Sequence, residues 1–567
     1  MRLSKLRIRG FRNFADETIA FDGTTLIIGA NDSGKTNLLY ALRLILDPTL
    51  SPRNFELDDA DFNIQTRSNE VVIAAYFTEV TEDCLIATFG GKIDAEDRLV
   101  IQFRCEKNGE YSFYVGGDED HLEESSSRFY IKVLSLEYVS GARDYARYMS
   151  KQQSKLLQLA KDRIEANALE KDEASIDQMQ ESLEQLNDEI GRLNYISEAL
   201  DKVNEEMAKL SVSGDDYEAK FVAGNTDINK LLDNLTLSYF SNETPLTFGG
   251  DGRGNQLYFA AWIAEGALAA VPSKVVIYAI EEPEAHLHPH QQRRLARYLA
   301  SLSNEQVLLT SHSPQIAEKF VAGHIVRLFA KTDNTTHAAF TNQKVAAALN
   351  RFSYRMNPIS AEILFSSGAV LVEGPSEKML YTKLGDLIFD DLDRANISIL
   401  SVDGVGFKPY LALCQALSIP CVMRTDNDVF SDRKGGFRKA GLKRAVECAN
   451  IMSSDSFNVQ DGELYLTESP IPEETPPEIT EKLNEVGVFL SQYDLETDLV
   501  NGPLRSDLGN YYGIADSEKI IAAMQERKAE NMFSFLTSVE VDLSPLAEDG
   551  ISKPLHALKE LIDVKKS

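Results

Sequence analysis

Tryptophan is nearly missing from this chain, with one in 567 residues, and cysteine is scarce, with five. Cys84, Cys105, Cys414, Cys421 and Cys448 stand apart without CxxC spacing, which excludes a zinc ribbon or a disulfide framework and points to reduced thiols in the cytoplasm. No apolar run approaches the roughly 18 residues a membrane span needs. The opening MRLSKLRIRGFRNF alternates basic and apolar residues, so no secretory leader is expected there. Positive charge is also short. Lys and Arg total 58 against 88 Asp and Glu, a net charge of −30, which argues against a protein that coats DNA by global charge. Local basic patches keep their effect, because exposed charges are screened beyond about 8 Å at physiological salt.

What is present is ordinary globular material, 43% hydrophobic and 26% charged. At about 150 residues per domain the length predicts three or four units. Alternating apolar residues give strands through Leu3, Leu6 and Ile8 and through Thr25–Ile28, and strand-like runs recur from Val71 to Val115. Residues 151–210 then hold one glycine and no proline. Ile176, Met179, Leu183, Leu186, Ile190 and Leu193 step by three and four, and Ile196, Leu200, Val203, Met207 and Leu210 resume the pattern after a register skip. Such a stripe buries one helical face, either in an internal antiparallel hairpin or in an arm between subunits. Alternating strands and helices return over 254–330 and 361–450; SPIPEETPPEITE (469–481) reads as a linker, and a helical tail follows from about Asp516. No fixed-period repeat occurs.

Gly29-Ala30-Asn31-Asp32-Ser33-Gly34-Lys35-Thr36 fits GxxxxGK[ST] between the strand TTLIIG and the helix NLLYALRLIL. Backbone N–H groups at such a helix N-terminus wrap phosphates. Gly29, Asn31, Gly34 and Asn37 shape the loop, Lys35 would reach the β- and γ-phosphates, and Thr36 would hold Mg²⁺ with ATP. About 250 residues on, VVIYAI runs into Glu281-Glu282-Pro283-Glu284. Glu281 is placed to hold Mg²⁺ and Glu282 to orient the attacking water. The usual pattern is Asp then Glu, and the extra methylene of Glu281 predicts a water-mediated metal contact and slow hydrolysis. The strand QVLLT leads to Ser311-His312-Ser313-Pro314, where His312 is placed to sense the γ-phosphate. His286, His288 and His290, spaced i, i+2, i+4 in the loop after the acidic strand end, look at first like a metal cluster, but the family motif that this segment resembles makes them structural and not a zinc site. Gly249–Gln256 stands where a glycine-rich signature motif from a second subunit is expected.

FRNF, GANDSGKT, the helical insertion, EEPEAHLHP and TSHSP together resemble the SMC/RecF-like ATPases. The order ATPase then Toprim looks like the OLD (overcoming lysogenisation defect) nucleases and is similar to the nuclease subunit of Gabija antiphage systems. The implied fold is α/β: an ABC/SMC-like ATPase in two parts, 1–150 and 216–355, an inserted coiled-coil-like dimerisation arm at 151–215, and a C-terminal Toprim domain at 356–567.

Three later strands each end in acids: Ala369–Val372 in Glu373, with Glu377 a helical turn on; ISILSV in Asp403; PCVMRT in Asp426-Asn427-Asp428. Strands separated by helices predict a parallel sheet with the acids at its C-terminal edge. Gathered acids repel unless cations sit among them, and two divalent ions about 4 Å apart would clamp a scissile phosphate. This layout resembles a Toprim domain, which assigns Mg²⁺ or Mn²⁺ to Glu373, Asp426 and Asp428, with Glu377 a fourth ligand. Asp403 is either a ligand or a turn former in its DGVG loop. Leu495-Glu496-Thr497-Asp498-Leu499 resembles the segment that completes a second metal site in the OLD nucleases, through Glu496 and Asp498. Lys528 matches by position the lysine that stabilises the pentavalent phosphate there. Arg424, Arg433, Lys434, Arg438, Lys439, Lys443 and Arg444 form a basic run suited to a DNA backbone.

The expected activity is an ATP-binding, divalent-metal-dependent DNA endonuclease with the ATPase as its gate. The alternative is a non-nucleolytic SMC/RecF-like ATPase acting as a DNA-repair mediator or clamp. No module for strand passage or template priming favours a topoisomerase or primase. The resemblance also implies a dimeric or tetrameric homo-oligomer and a second component, a UvrD-like helicase or a retron reverse transcriptase with its DNA.

Overall fold

The computed structural model describes the chain apart from 142–154, 211–227, most of 234–273, 302–305, 321–322, 352–355, 432–435, 454–464, 539–540 and a few single positions. Residues 1–141, 273–284 and 289–567 form one compact unit; 142–272 with 285–288 form another.

The first unit is built on three larger sheets. An antiparallel sheet runs in the order Phe14–Ala20, Arg2–Phe11, Glu70–Thr78, Leu99–Glu106, Tyr111–Gly116, Glu123–Ser125. Its alternation is that of a sheet covered on one face: Leu3, Leu6 and Ile8 are fully buried in the core. A second sheet carries Leu134–Val139, Val275–Glu281, Gln306–Thr310, Thr25–Gly29 and His324–Ala330 in parallel, closed at one edge by the antiparallel Thr336–Phe340. Its strands are near-continuous apolar runs because helices cover a parallel sheet on both faces. Gln306 joins the two sheets: its side-chain amide donates to Leu3 O at 2.8 Å, and its Oε1 accepts from Leu3 N at 2.8 Å.

The third sheet is parallel, in the order Ile397–Ser401, Gly368–Val372, Cys421–Thr425, Val488–Leu490. The stretch read as a linker, 469–481, is irregular only up to Pro476; from Pro477 it is helical, and the helix Pro477–Glu485 feeds the last of these strands. The C-terminal helix Lys553–Lys566 packs beneath the sheet, with Leu555, Leu558 and Ile562 in its core.

In the second unit, the helices Ala166–Gly191 and Asn194–Leu210 carry the apolar stripe read from the sequence. Met179 and Leu186 remain about half exposed within the single chain. The sequence between Gly249 and Gln256 lies outside the described residues. No described helix is long and apolar enough to cross a membrane.

Candidate active site

The phosphate loop joins the strand Thr25–Gly29 to the helix Lys35–Leu46. Gly34 turns the chain with φ 99°, and a Cβ there would lie 2.3 Å from Asn13 Nδ2, so only glycine fits. Asn31 and Asp32 form the exposed tip. Lys35 is drawn back onto its own loop, donating to Gly29 O at 2.9 Å and Ala30 O at 2.8 Å, and burial lowers its pKa. Thr36 Oγ1 donates to Glu281 Oε1 at 2.5 Å, so the two residues expected to hold Mg²⁺ already face each other. The other Glu281 oxygen accepts from the Tyr138 phenol. Glu282, turned to φ 44°, places its carboxylate 3.4 Å from His312 Nε2. Burial, then the nearby Lys35, lowers the His312 pKa and favours the neutral ring. Beside them the half-buried Glu284 accepts from Ser311 Oγ at 2.8 Å and His312 N at 2.6 Å, and desolvation raises its pKa.

Asn37 belongs to a support layer that motif reading does not reveal. Arg12 donates to Asn37 Oδ1 at 2.7 Å and Asn37 donates to Asn13 Oδ1 at 2.7 Å. Asn13 then donates to Thr336 Oγ1 at 2.5 Å, and Thr336 to Ser33 O at 2.9 Å. Arg12 and Asn13 lie within FRNF, so that motif braces the loop from below.

The second centre sits at the C-terminal edge of the third sheet. Glu373 leaves the strand Gly368–Val372, and its Oε1 accepts from Thr425 Oγ1 at 2.5 Å, Asp426 N at 2.9 Å and Arg444 Nη2 at 2.7 Å. Arg444 also donates to Asp428 Oδ2 at 2.9 Å, Asp426 O at 2.9 Å and Thr425 Oγ1 at 2.7 Å. Arg424 donates to Asp498 Oδ2 at 3.0 Å and lies 3.5 Å from Asp426 Oδ1. Glu377 accepts from Gly374 N at 3.1 Å, inside the first turn of its helix. Lys528 donates to the buried Glu496 at 2.8 Å and stands 3.8 Å from Asp494. Burial works against that ammonium, yet the hydrogen bond to Glu496 and the surrounding acids hold its pKa above the usual lysine value.

Arg424 and Arg444 thus link Glu373, Asp426, Asp428 and Asp498, while Glu496 pairs with Lys528 and Glu377 accepts within its own helical turn, and the reading of the basic run is corrected. Arg424 and Arg444 are not on a DNA-facing surface: they are buried among the acids because each satisfies carboxylates that burial would otherwise leave uncompensated. Lys439 and Lys443 pair with Glu473 and Glu447, and Arg433 and Lys434 lie outside the described residues. Asp403 takes its turn-forming role, at φ 52° with Ser401 Oγ donating to it at 2.9 Å. Asp494, overlooked before, caps the helix Leu495–Asn501 through Thr497 N at 2.8 Å. Its signal was there to read, an aspartate directly before an LExDL helix.

Among the described residues no three His, Cys, Asp or Glu side chains already converge as a metal cage. The donor set nonetheless fits a hard divalent cation. Burial pushes the Asp426 pKa up to about 8, helped by Glu377 and Glu373, and raises Glu377 and Asp498 as well. Desolvated oxygen ligands beside one another are what such an ion relieves.

Fold and sites define a nucleotide-binding ATPase coupled to a Toprim acid centre. The AAA ATPase domain model matches residues 1–317, and the overcoming lysogenization defect protein-like TOPRIM domain model matches 364–428. The chain belongs to this AAA ATPase family, in its OLD-like form with a following Toprim domain. It is 25% identical to Endonuclease GajA of Bacillus cereus (strain VD045), over 95% of this chain and 96% of that protein. It is 26% identical to the OLD nuclease of Thermus scotoductus (strain ATCC 700910 / SA-01), over 76% of this chain and 82% of that one. With the Old nuclease of Escherichia phage P2 it shares 22% over 82% of this chain and 83% of that protein.

Proposed function

We propose that the chain is an ATP-binding, divalent-metal-dependent DNA endonuclease of antiphage defence, in which the ATPase gates the Toprim centre. One observation carries the reading: Glu373, Asp426, Asp428 and Asp498, far apart in sequence, meet at one sheet edge, linked by Arg424 and Arg444. Similarity along nearly the whole length to a protein named an endonuclease supports it.

Glu373, Glu377, Asp426, Asp428, Glu496 and Asp498 would hold Mg²⁺ or Mn²⁺, and the bound metal would supply Lewis-acid activation of water and neutralise the scissile phosphate. The rest falls to the chain's own groups. Arg444 fixes Glu373 against Asp428, Glu496 holds Lys528 at the edge of the centre, and Lys528 stabilises the negative charge that builds on the phosphate during attack. In the ATPase, Thr36 and Glu281 would hold Mg²⁺ with ATP, Lys35 would leave its own loop for the phosphates, Glu282 would orient water and His312 would sense the γ-phosphate.

Under this reading the domain limits are those expected from the sequence, and the half-exposed stripe at Met179 and Leu186 pairs copies into a dimer or tetramer in the cytoplasm. A helicase or a retron component would be a second partner. A supercoiled-plasmid assay tests the proposal. Nicking is expected with Mg²⁺ or Mn²⁺, abolished in Asp428→Ala and retained but no longer ATP-responsive in Lys35→Ala. ATP-dependent DNA binding without any nicking would favour the repair-clamp alternative.

A further inference from the structure

Of the described basic residues between Arg424 and Arg444, Arg438 alone makes no ion pair: two arginines fold inward, and Lys439 and Lys443 reach Glu473 and Glu447. Its strand, Phe437–Lys439, is the middle one of a small antiparallel sheet, between Val429–Ser431 and Leu466–Thr467. The register sets Phe430 opposite Arg438, and Arg438 opposite Leu466. Side chains directly opposite share a face and stand about 5 Å apart, so these three form one row roughly 10 Å long. All three are exposed, Phe430 to 57% and Leu466 to 52%. Neighbouring positions along each strand point to the opposite face. There Glu473 pairs with Lys439 at 2.7 Å and accepts from Thr467 Oγ1 at 2.6 Å, so that side is already tied down. The strand Val429–Ser431 begins directly after Asp428, which leaves no more than about 7 Å of chain between that acid and Phe430.

We propose that the row Phe430, Arg438 and Leu466 is a platform for one DNA base drawn out of the duplex stack beside the scissile phosphate. The proposal rests on the endonuclease reading and names how that centre holds the strand it cuts. An aromatic ring offers a flat face on which any base can stack. Arg438 next to it supplies a guanidinium for the adjoining phosphate or for the base itself, and Leu466 extends the apolar surface. Within a duplex both faces of a base are covered by its neighbours, so the row receives only a base that is unpaired or extruded. A protein surface suits it less well: covering the two apolar members would bury Arg438 without a counter-charge, which is costly. A nucleotide brings the flat apolar face and the negative charge together.

Extrusion costs least where a base is already unpaired, and this gives the test. The full-length chain is titrated in EDTA, without cleavage, against two end-labelled short duplexes, one fully paired and one carrying a single bulged thymine, and binding is read by fluorescence anisotropy. The bulged duplex is expected to bind about tenfold tighter. Phe430→Ala should bring the two within about twofold by weakening the bulged one, and Phe430→Trp should keep the preference. Arg438→Ala should weaken both, with a shallower dependence on salt. Equal binding of the two duplexes by the unaltered chain, or a preference that survives Phe430→Ala, would overturn the proposal. So would a DNA-free Phe430→Ala chain that sediments as a smaller assembly than the unaltered one, because the row would then be a contact between copies. The endonuclease reading stands or falls separately, on plasmid nicking by the unaltered chain with Mg²⁺ or Mn²⁺.

Discussion

Glu281 is gripped from two sides, by the Thr36 hydroxyl and the Tyr138 phenol, and this changes what its extra methylene means. A longer acid at this strand end has more freedom than the usual Asp, and Tyr138 removes that freedom. The phenol is itself fixed, because Arg43 lies over its ring at 4.1 Å. A hydrogen bond to a charged group is worth about 1.5–3 kcal/mol. Tyr138→Phe should therefore weaken ATP binding by about tenfold or more with Mg²⁺ present and leave binding in EDTA unchanged, which equilibrium dialysis under both conditions would read. Asp426 makes a second residue-scale prediction. With its pKa raised to about 8 by burial, the metal-free carboxyl is protonated at neutral pH, and a metal must displace that proton. Metal affinity should rise with pH, by up to about tenfold per unit, and level off above pH 8. Over the same range the metal-free fold binds more protons than the unfolded chain, so its stability falls as pH rises from about 4 to 8. Calorimetric Mn²⁺ titrations in buffers of different ionisation enthalpy would detect the released proton; affinity that is flat between pH 6 and 8 would contradict this assignment.

At the level of elements, the acid centre depends on how closely one helix approaches one loop. The helix Ala440–Met452 starts directly under Asp426-Asn427-Asp428, and Gly441 N donates to Asp428 O at 3.0 Å. A Cβ on Gly441 would lie 2.3 Å from Asp426 O and 2.6 Å from Asp428 N, both backbone atoms that cannot swing aside. Gly441→Ala should then push the loop away from Glu373, cost about 1–3 kcal/mol of stability as an overpacked site, and lower Mn²⁺ affinity. Thermal melts with and without Mn²⁺ would measure both, the metal-induced rise in Tm shrinking in the variant. This contact also marks how far the sequence could be read. The acids were legible because each follows an apolar strand, and strand ends of a parallel sheet share an edge. The phosphate loop was legible because all its parts are contiguous. Arg424 and Arg444 were misread because a basic run looks the same whether it faces solvent or folds inward. What decides is partners far along the chain, Asp498 for one and Glu373 for the other. Tyr138 was invisible for the same reason: it meets Glu281 only because Leu134–Val139 pairs in parallel with Val275–Glu281.

For the molecule as a whole, the question is how a nucleotide at one sheet is felt at another, and Arg327 offers a physical route. It sits on the strand His324–Ala330, beside the phosphate-loop strand, with Arg327 opposite Ile28. Its guanidinium reaches out of the ATPase to donate to Leu417 O at 3.2 Å, Ser418 O at 3.1 Å and Ser366 O at 3.1 Å, carbonyls that lead into the Toprim strands. Burial pulls its pKa down to about 10, so it is still charged at neutral pH. Among the described residues it has no acid partner; three backbone carbonyls and the Phe329 ring, 5.4 Å from its guanidinium, hold it, so a displacement of the strand would pull on Toprim backbone. A cavity of about 990 Å³ lies beside it, lined by Asn31 and Asp32 of the loop tip and by Phe365 and Asn396 on the Toprim side, which gives that displacement room. Arg327→Met keeps the stem and removes the donors, orphaning buried carbonyls at about 1–3 kcal/mol each. The expected outcome is a melt that separates into two transitions in scanning calorimetry, ATP affinity within about twofold of the unaltered chain, and plasmid nicking that ignores ATP. Nicking that still responds fully to ATP in this variant would mean that the signal travels by another path, and Arg327 would be left with a purely structural role.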